Sequence, residues 1–119
     1  MSKLQHEFDR MVWTVVSQIP AGAVMGYGEV ARAAGFPRYA RMVSGAMSRS
    51  PEPLPWFRVV KSDRTLAFAE DSENYRQQAQ RLRQEGVRFV GKKIIEQPRN
   101  DSLDWILWGP SGNQYKTST

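Results

Sequence analysis

The apolar positions of the chain change period several times, and each change marks an element. Leu4, Phe8, Met11, Val12, Val15 and Ile19 recur at helical spacing, with Lys3, Glu7, Asp9 and Arg10 off the stripe. Residues 3–19 are therefore predicted to form an amphipathic helix. Pro20 and Gly22 stop it, and Ala21 to Tyr27 reads as a loop or short extended piece. A second helix is predicted from Gly28 to Ala34, ended by Gly35, and a third from Tyr39 or Ala40 to Arg49, stopped before Pro51. On the third helix Met42, Val43, Ala46 and Met47 form a packing stripe, while Arg41, Ser44, Gly45, Ser48 and Arg49 take the other side. Two short helices joined by a tight glycine-containing turn make a helix-turn-helix pattern.

Beyond this point the pattern becomes extended. Pro53-Leu54-Pro55-Trp56-Phe57-Arg58-Val59-Val60 carries prolines at alternate positions, which favour an extended backbone that Val59-Val60 continue as a strand. Lys61 to Arg64 reads as a turn, and Thr65 to Phe68 as a second short strand. Asp71 or Ser72 caps a helix running to Glu85, with Tyr75, Ala79 and Leu82 inward, Arg76, Arg81 and Arg83 outward, and Gly86 as its stop. Val87 to Val90 and Lys93 to Ile95 form a wing-like hairpin around Gly91. Residues 97–119 hold Trp105, Trp108 and Pro110, then a polar tail, 111–119, expected to be disordered. The expected fold is mostly α with short β hairpins, a winged helix-turn-helix in one domain over residues 1–110, without repeats or a linker.

Composition narrows the chemistry. The 119 residues include no cysteine and a single histidine, His6. Thiol nucleophiles, cysteine-rich zinc sites, disulfides and His-based metal or acid–base clusters are excluded. No apolar run approaches membrane-spanning length, so the expectation is a cytoplasmic protein that does not engage a membrane. The formal charge of +5 favours a polyanionic partner once it is placed on a surface. The outer face of the third helix offers such a place: two cations flank residues with almost no side chain, so a nucleic-acid backbone can come close. The alternative is an ordinary solvated face with a costly glycine in it. Trp56, bracketed by proline and a β-type run, is either a core plug or a stacking surface.

These residues also carry a resemblance. Pro20-Ala21-Gly22, Tyr27-Gly28-Glu29-Val30-Ala31, Gly35-Phe36-Pro37, Ala40-Arg41-Met42-Val43, Gly45-Ala46-Met47, Pro55-Trp56-Phe57-Arg58-Val59-Val60 and Glu85-Gly86 stand in order over roughly residues 5–90. The run resembles the DNA-binding domain of O6-alkylguanine-DNA alkyltransferases. In those repair enzymes positions 55–60 read Pro-Cys-His-Arg-Val-Val, and the cysteine accepts the alkyl group. Trp56 in place of that cysteine is similar to the alkyltransferase-like proteins, non-enzymatic lesion sensors. Elementary chemistry agrees: alkyl acceptance needs an activated thiolate, indole is a poor nucleophile, and Phe57 cannot relay a proton. Glu85, which matches the position completing the enzymes' hydrogen-bond network, is read as a structural remnant.

The resemblance implies a helix-turn-helix used from the minor-groove side, unlike the major-groove docking usual for that motif. It implies that Tyr27 pushes on the phosphate beside the target nucleotide and that Arg41 fills the place of the extruded base. Ser44, Gly45, Ser48 and Arg49 complete the implied DNA contacts. The implied lesion pocket has Trp56 as one wall, with Tyr27, Pro55, Val59 and Ser50 around it; Ser50 stands where the enzymes carry an asparagine. Tyr27 as a helix-start core residue and Arg41 as a plain surface cation remain the alternatives. Related sensors place a cation near the positions of Phe68-Ala69, which are apolar here and followed by Glu70 and Asp71; Arg64 or Arg76 is the substitute to look for.

The resulting expectation is a cofactor-free, nucleoid-associated monomer. It binds O6-alkylguanine in duplex DNA by nucleotide flipping, leaves the alkyl group in place, and marks the site for nucleotide excision repair proteins, this last step being a family implication. The runner-up is a winged-helix DNA-binding regulator with no lesion preference. An enzyme using Asp63 or Asp71 as base has little support.

Overall fold

The computed structural model describes residues 2–98, and the tail over 111–119 expected to be disordered lies outside them. Ser2 opens the first helix, α1 (Lys3–Ser17), its Oγ accepting a hydrogen bond from the Gln5 amide at 3.0 Å. Phe8, Val12, Val15 and Val16 are buried as the stripe predicts, but Leu4 and Met11 are exposed and Asp9 is buried. The buried arc is rotated toward Asp9 because the helix over residues 43–48 packs on α1 and the residue after it, Arg49, pairs with Asp9. The helix ends two residues earlier than expected, and Ile19 enters the core from the loop.

The chain continues through β1 (Met25–Gly26), α2 (Tyr27–Ala33), α3 (Val43–Ser48), β2 (Val59–Val60), α4 (Glu73–Gln84), β3 (Arg88–Val90) and β4 (Lys93–Glu96). Two short 3₁₀ turns precede α3 and β2, at Ala40–Met42 and Trp56–Arg58. The expected third helix is thus split. Tyr39 is retained by the aromatic cluster of Phe8 and Phe36, at 5.6 Å from each ring, and the chain tightens after it. As a result Met42 turns outward, 56% exposed, instead of joining the packing stripe.

Only one of the strand pairs is a hairpin. β3 and β4 are antiparallel, as the wing was expected to be. β1 and β2 pair in parallel, Met25 with Val59 and Gly26 with Val60, across more than thirty intervening residues. No strand forms at Thr65–Phe68: Thr65 makes an isolated bridge to Lys93, and Leu66 donates its amide to the Lys92 carbonyl.

The parallel pair divides two cores. Successive side chains of a strand point to opposite faces. Met25 and Val59 therefore join the core of α1, α2 and α3, whereas Val24 and Val60 join Phe57, Leu66, Leu82, Val87 and Ile94 on the α4 side. Gly26 lets the ladder close, because a Cβ there would lie 2.9 Å from the Ser62 Cα. Gly26→Ala should therefore force the strand from the following turn and lower stability by about 1–3 kcal/mol in urea unfolding, the usual range for overpacking. A change below a few tenths would show that the turn yields freely.

Candidate nucleic-acid interface

Trp56 is placed by backbone turns rather than by a straight strand. Pro55 has φ −75° and ψ 61°, and the Trp56 amide donates to the Leu54 carbonyl at 2.7 Å, an inverse γ-turn. The 3₁₀ turn follows at once, so the expected extended run stops at Pro55 and resumes only at Val59. Gln78, buried on α4, holds this turn in place: its Nε2 donates to the carbonyls of Phe57 and Val59, each at 3.1 Å. Phe57 is buried while Trp56 is half-buried, packed edge-to-face on Phe57 at 6.0 Å and on Phe68 at 6.1 Å.

A cavity of about 390 Å³ opens beside the indole. Trp56, Leu54, Met47 and Phe68 give it apolar walls, and Tyr27, Ser44, Ser48, Glu52 and Asn74 add polar atoms. Its volume falls within the range of small-molecule sites, roughly 300–1,000 Å³. A second depression, of about 440 Å³, is bounded by Arg41, Lys61, Ala40 and Ser62. Tyr27 and Ser44 line both, so they stand between the cavity and the cationic groove. Burial raises the Tyr27 pKa above its ordinary value, and the phenol, protonated at neutral pH in either case, can donate a hydrogen bond.

The sequence-predicted residues divide accordingly. Trp56, Tyr27, Ser44 and Ser48 meet at the cavity, and Arg41 lies exposed at the 3₁₀ corner beside it. Three residues expected in the pocket do not line it. Val59 is in the α1–α3 core because the strand register sends it there. Pro55 shapes the γ-turn, and Ser50 spends its hydroxyl on the Glu52 backbone. Arg49, expected to face DNA, is held by Asp9 through Nε at 2.7 Å and Nη2 at 2.9 Å. That hydrogen bond raises the Arg49 pKa further, so the guanidinium is fixed as a brace between α1 and α3. Gly45 has no steric reason within the fold: a Cβ would meet only the Arg49 guanidinium, at 3.4 Å, an ordinary van der Waals distance.

Residues the sequence did not assign to the pocket are Met47, Glu52, Pro53, Leu54 and Asn74, with Gln78 behind it. Phe68, at the position where related sensors are expected to carry a cation, lines the cavity as an apolar wall. The expected substitute cations are engaged elsewhere. Arg64 pairs with Glu29 at 2.8 Å, and Arg76 with Glu73 at 2.9 Å, so neither reaches the cavity. Asp63, weighed as a base, instead closes a turn on Thr65, and the hydroxyl of Thr65 lowers its pKa. Asp71 is exposed and outside the cavity. Glu85 forms an ion pair with Arg58, with Arg58 Nε donating at 3.0 Å. No helix among the described residues is long and apolar enough to cross a membrane.

Residues 7–87 match the family profile described as "6-O-methylguanine DNA methyltransferase, DNA binding domain". The chain belongs to that family. It is 40% identical over 97 residues to the "DNA base-flipping protein" of Escherichia coli (strain K12), a match covering 80% of this chain and 74% of the relative. It is 39% identical over 106 residues to "Alkyltransferase-like protein 1" of Schizosaccharomyces pombe, covering 87% and 96%. Among solved structures it resembles the S. pombe alkyltransferase-like protein in complex with damaged DNA containing O6-carboxymethylguanine. There the TM-score is 0.63 at 41% identity, covering 71% of this chain and 81% of the other. The mostly helical fold with short strand pairs is thus the family fold, and the alkyltransferase-like resemblance holds.

Proposed function

We infer that this protein binds O6-alkylguanine in duplex DNA by rotating the nucleotide out of the helix into the Trp56 cavity, without removing the alkyl group. One observation carries the reading: a half-buried indole lines a purine-scale cavity that shares Tyr27 and Ser44 with the groove beside Arg41. Extruding a base costs a few kcal/mol, least for a weakly paired damaged one. Contact with an aromatic ring returns on the order of 1–3 kcal/mol. Arg41 can refill the vacated stack with its planar guanidinium, and the Tyr27 hydroxyl can donate to the rotated phosphate. The small Ser44, Gly45 and Ser48 surface lets the backbone approach α3, which accounts for a glycine that the fold itself does not require.

The chain has no cysteine, so no thiolate is present to take the alkyl group, and Trp56 occupies the acceptor position implied by the family pattern. Incubation with an O6-methylguanine duplex should leave the masses of protein and DNA unchanged. Fluorescence anisotropy should show tighter binding to that duplex than to its unmodified twin; equal affinities would favour a regulator without lesion preference. Arg41→Ala should erase most of this preference, by about tenfold or more, as one flipped base loses its replacement. Its salt-dependent binding to unmodified DNA should persist, since scattered cations supply that. A variant that still discriminates like the parent would remove Arg41 from this role.

One molecule per flipped base suffices, so the working unit is a monomer. Marking the lesion for nucleotide excision repair follows the family resemblance. Added protein should then raise incision of an O6-methylguanine duplex by a reconstituted excision system, and no rise would remove that step.

A further inference from the structure

Arg64 is the one non-glycine residue among those described whose backbone is left-handed, with φ 68°. An L side chain is strained there, and glycine is the residue that ordinarily fills such a position. The arginine closes the turn after β2: its amide donates to the Lys61 carbonyl at 2.8 Å, and the Lys61 amide to the Thr65 carbonyl at 3.0 Å. Its guanidinium reaches back to α2, with Nη2 at 2.8 Å from Glu29 Oε1, the oxygen that also accepts from the Gly26 amide at 2.7 Å. The Gly28 amide adds a second tie, to the Ser62 hydroxyl oxygen at 3.4 Å. The Lys61–Ser62 turn is thereby held against the start of α2, where Tyr27 stands. Lys61 and Arg41 are the two cations lining the depression of about 440 Å³, and neither joins an ion pair among the described residues. Asp63, the acid nearest Lys61 in the turn, has its carboxylate on Thr65.

We propose that Lys61 neutralises a backbone phosphate flanking the flipped nucleotide, and that Arg64 is its positioning residue, holding the Lys61–Ser62 turn to the start of α2 through Glu29. This rests on the Trp56 cavity being the seat of the flipped base. With the Arg41 guanidinium in the vacated stack, Lys61 is the cation left in the groove for the phosphodiester backbone. An ammonium group is a compact point charge on a flexible stem, so its reach is set by where the backbone places it. Strained backbone persists where the surroundings over-determine it, and the Glu29 ion pair does so here. A glycine would adopt the same conformation freely and leave the turn without that tie.

Anisotropy titrations of an O6-methylguanine duplex and its unmodified twin, each at several KCl concentrations, read the affinity ratio and the salt slope separately, with circular dichroism confirming the fold of each variant. Lys61→Ala should weaken both duplexes by the same factor, about fivefold near 0.1 M salt, and flatten the slope by about one, the share of one neutralised phosphate. The affinity ratio should hold, and Lys61→Arg should restore the slope. Arg64→Gly should weaken both duplexes about threefold, a partial loss of the same contact, and add nothing in the Lys61→Ala background. Glu29→Gln keeps the oxygen that accepts from the Gly26 amide and removes a negative charge. A bare charge effect predicts tighter binding for it, whereas loss of the tie predicts weaker binding. A parent-like slope for Lys61→Ala overturns the phosphate contact. Tighter binding by Glu29→Gln, or an undiminished Arg64→Gly effect in the Lys61→Ala background, overturns the positioning role alone. Equal affinities of the parent for the two duplexes overturn the base-flipping reading and, with it, the placing of Lys61 beside a flipped nucleotide.

Discussion

Glu85→Ala should lower the unfolding free energy by about 3 kcal/mol, the lower range for breaking a buried ion pair. The Arg58 and Glu85 side chains are only 17% and 15% exposed. Glu85 accepts from Arg58 and from the Gly22 amide at 3.2 Å, while Arg58 Nη1 donates to the Ile19 carbonyl at 2.8 Å. The pair thus ties the segment after α1, the loop before β1 and the end of α4 to the turn that carries Trp56. A carboxylate at a helix C-terminus opposes the helix dipole, so its place at the end of α4 reflects Arg58 rather than helix preference. Thermal unfolding should show a drop of roughly 12 °C or more. Glu85→Gln should fall between parent and alanine, because it keeps hydrogen bonding and loses the charge. A drop of under about 1 kcal/mol for alanine would mean that the pair is solvated like an ordinary surface bridge.

Trp56→Ala should abolish most of the lesion preference, by roughly 10- to 100-fold, with little loss of stability. The loss corresponds to one base–aromatic contact of about 1–3 kcal/mol. The fold tolerates it because the ring sits at the cavity edge, touching Phe57 and Phe68 edge-on, while Phe57 itself fills the core. Trp56→Phe should retain part of the preference. Competition between O6-methylguanine and unmodified duplexes reads both variants. Parent-like discrimination by Trp56→Ala would show that the indole is packing, and the cavity some other kind of recess.

Helix faces were readable where period alone decides, as at Phe8, Val12, Ala79 and Leu82. They misled where a partner from far along the chain decides. Asp9 looks like a solvent residue until Arg49, forty positions later, arrives to neutralise it. Gln78 likewise looks polar and outward until two carbonyls of the Trp56 turn claim its amide. Motif spacing pointed to Trp56 and Tyr27, which the fold brings to the cavity, and to Arg41, which it brings to the adjoining groove. Val59, Pro55 and Ser50 were neighbours in sequence and not at the cavity, since strand alternation, a γ-turn and a local hydroxyl bond redirect each of them. Glu52 comes from the loop before Trp56 and Asn74 from the first turn of α4, and no periodicity joins them.

The Trp13 indole, half-buried on α1, donates to the Ala46 carbonyl of α3 at 2.7 Å. A helix of six residues has no stability of its own in water, so α3 keeps its shape through what it leans on. Together with the Asp9–Arg49 brace, this makes α3 and the long first helix one stiff lever. A load on α3 is carried by α1, so slack introduced at Trp13 would loosen the cavity wall that Ser44, Met47 and Ser48 supply without changing any residue of that wall.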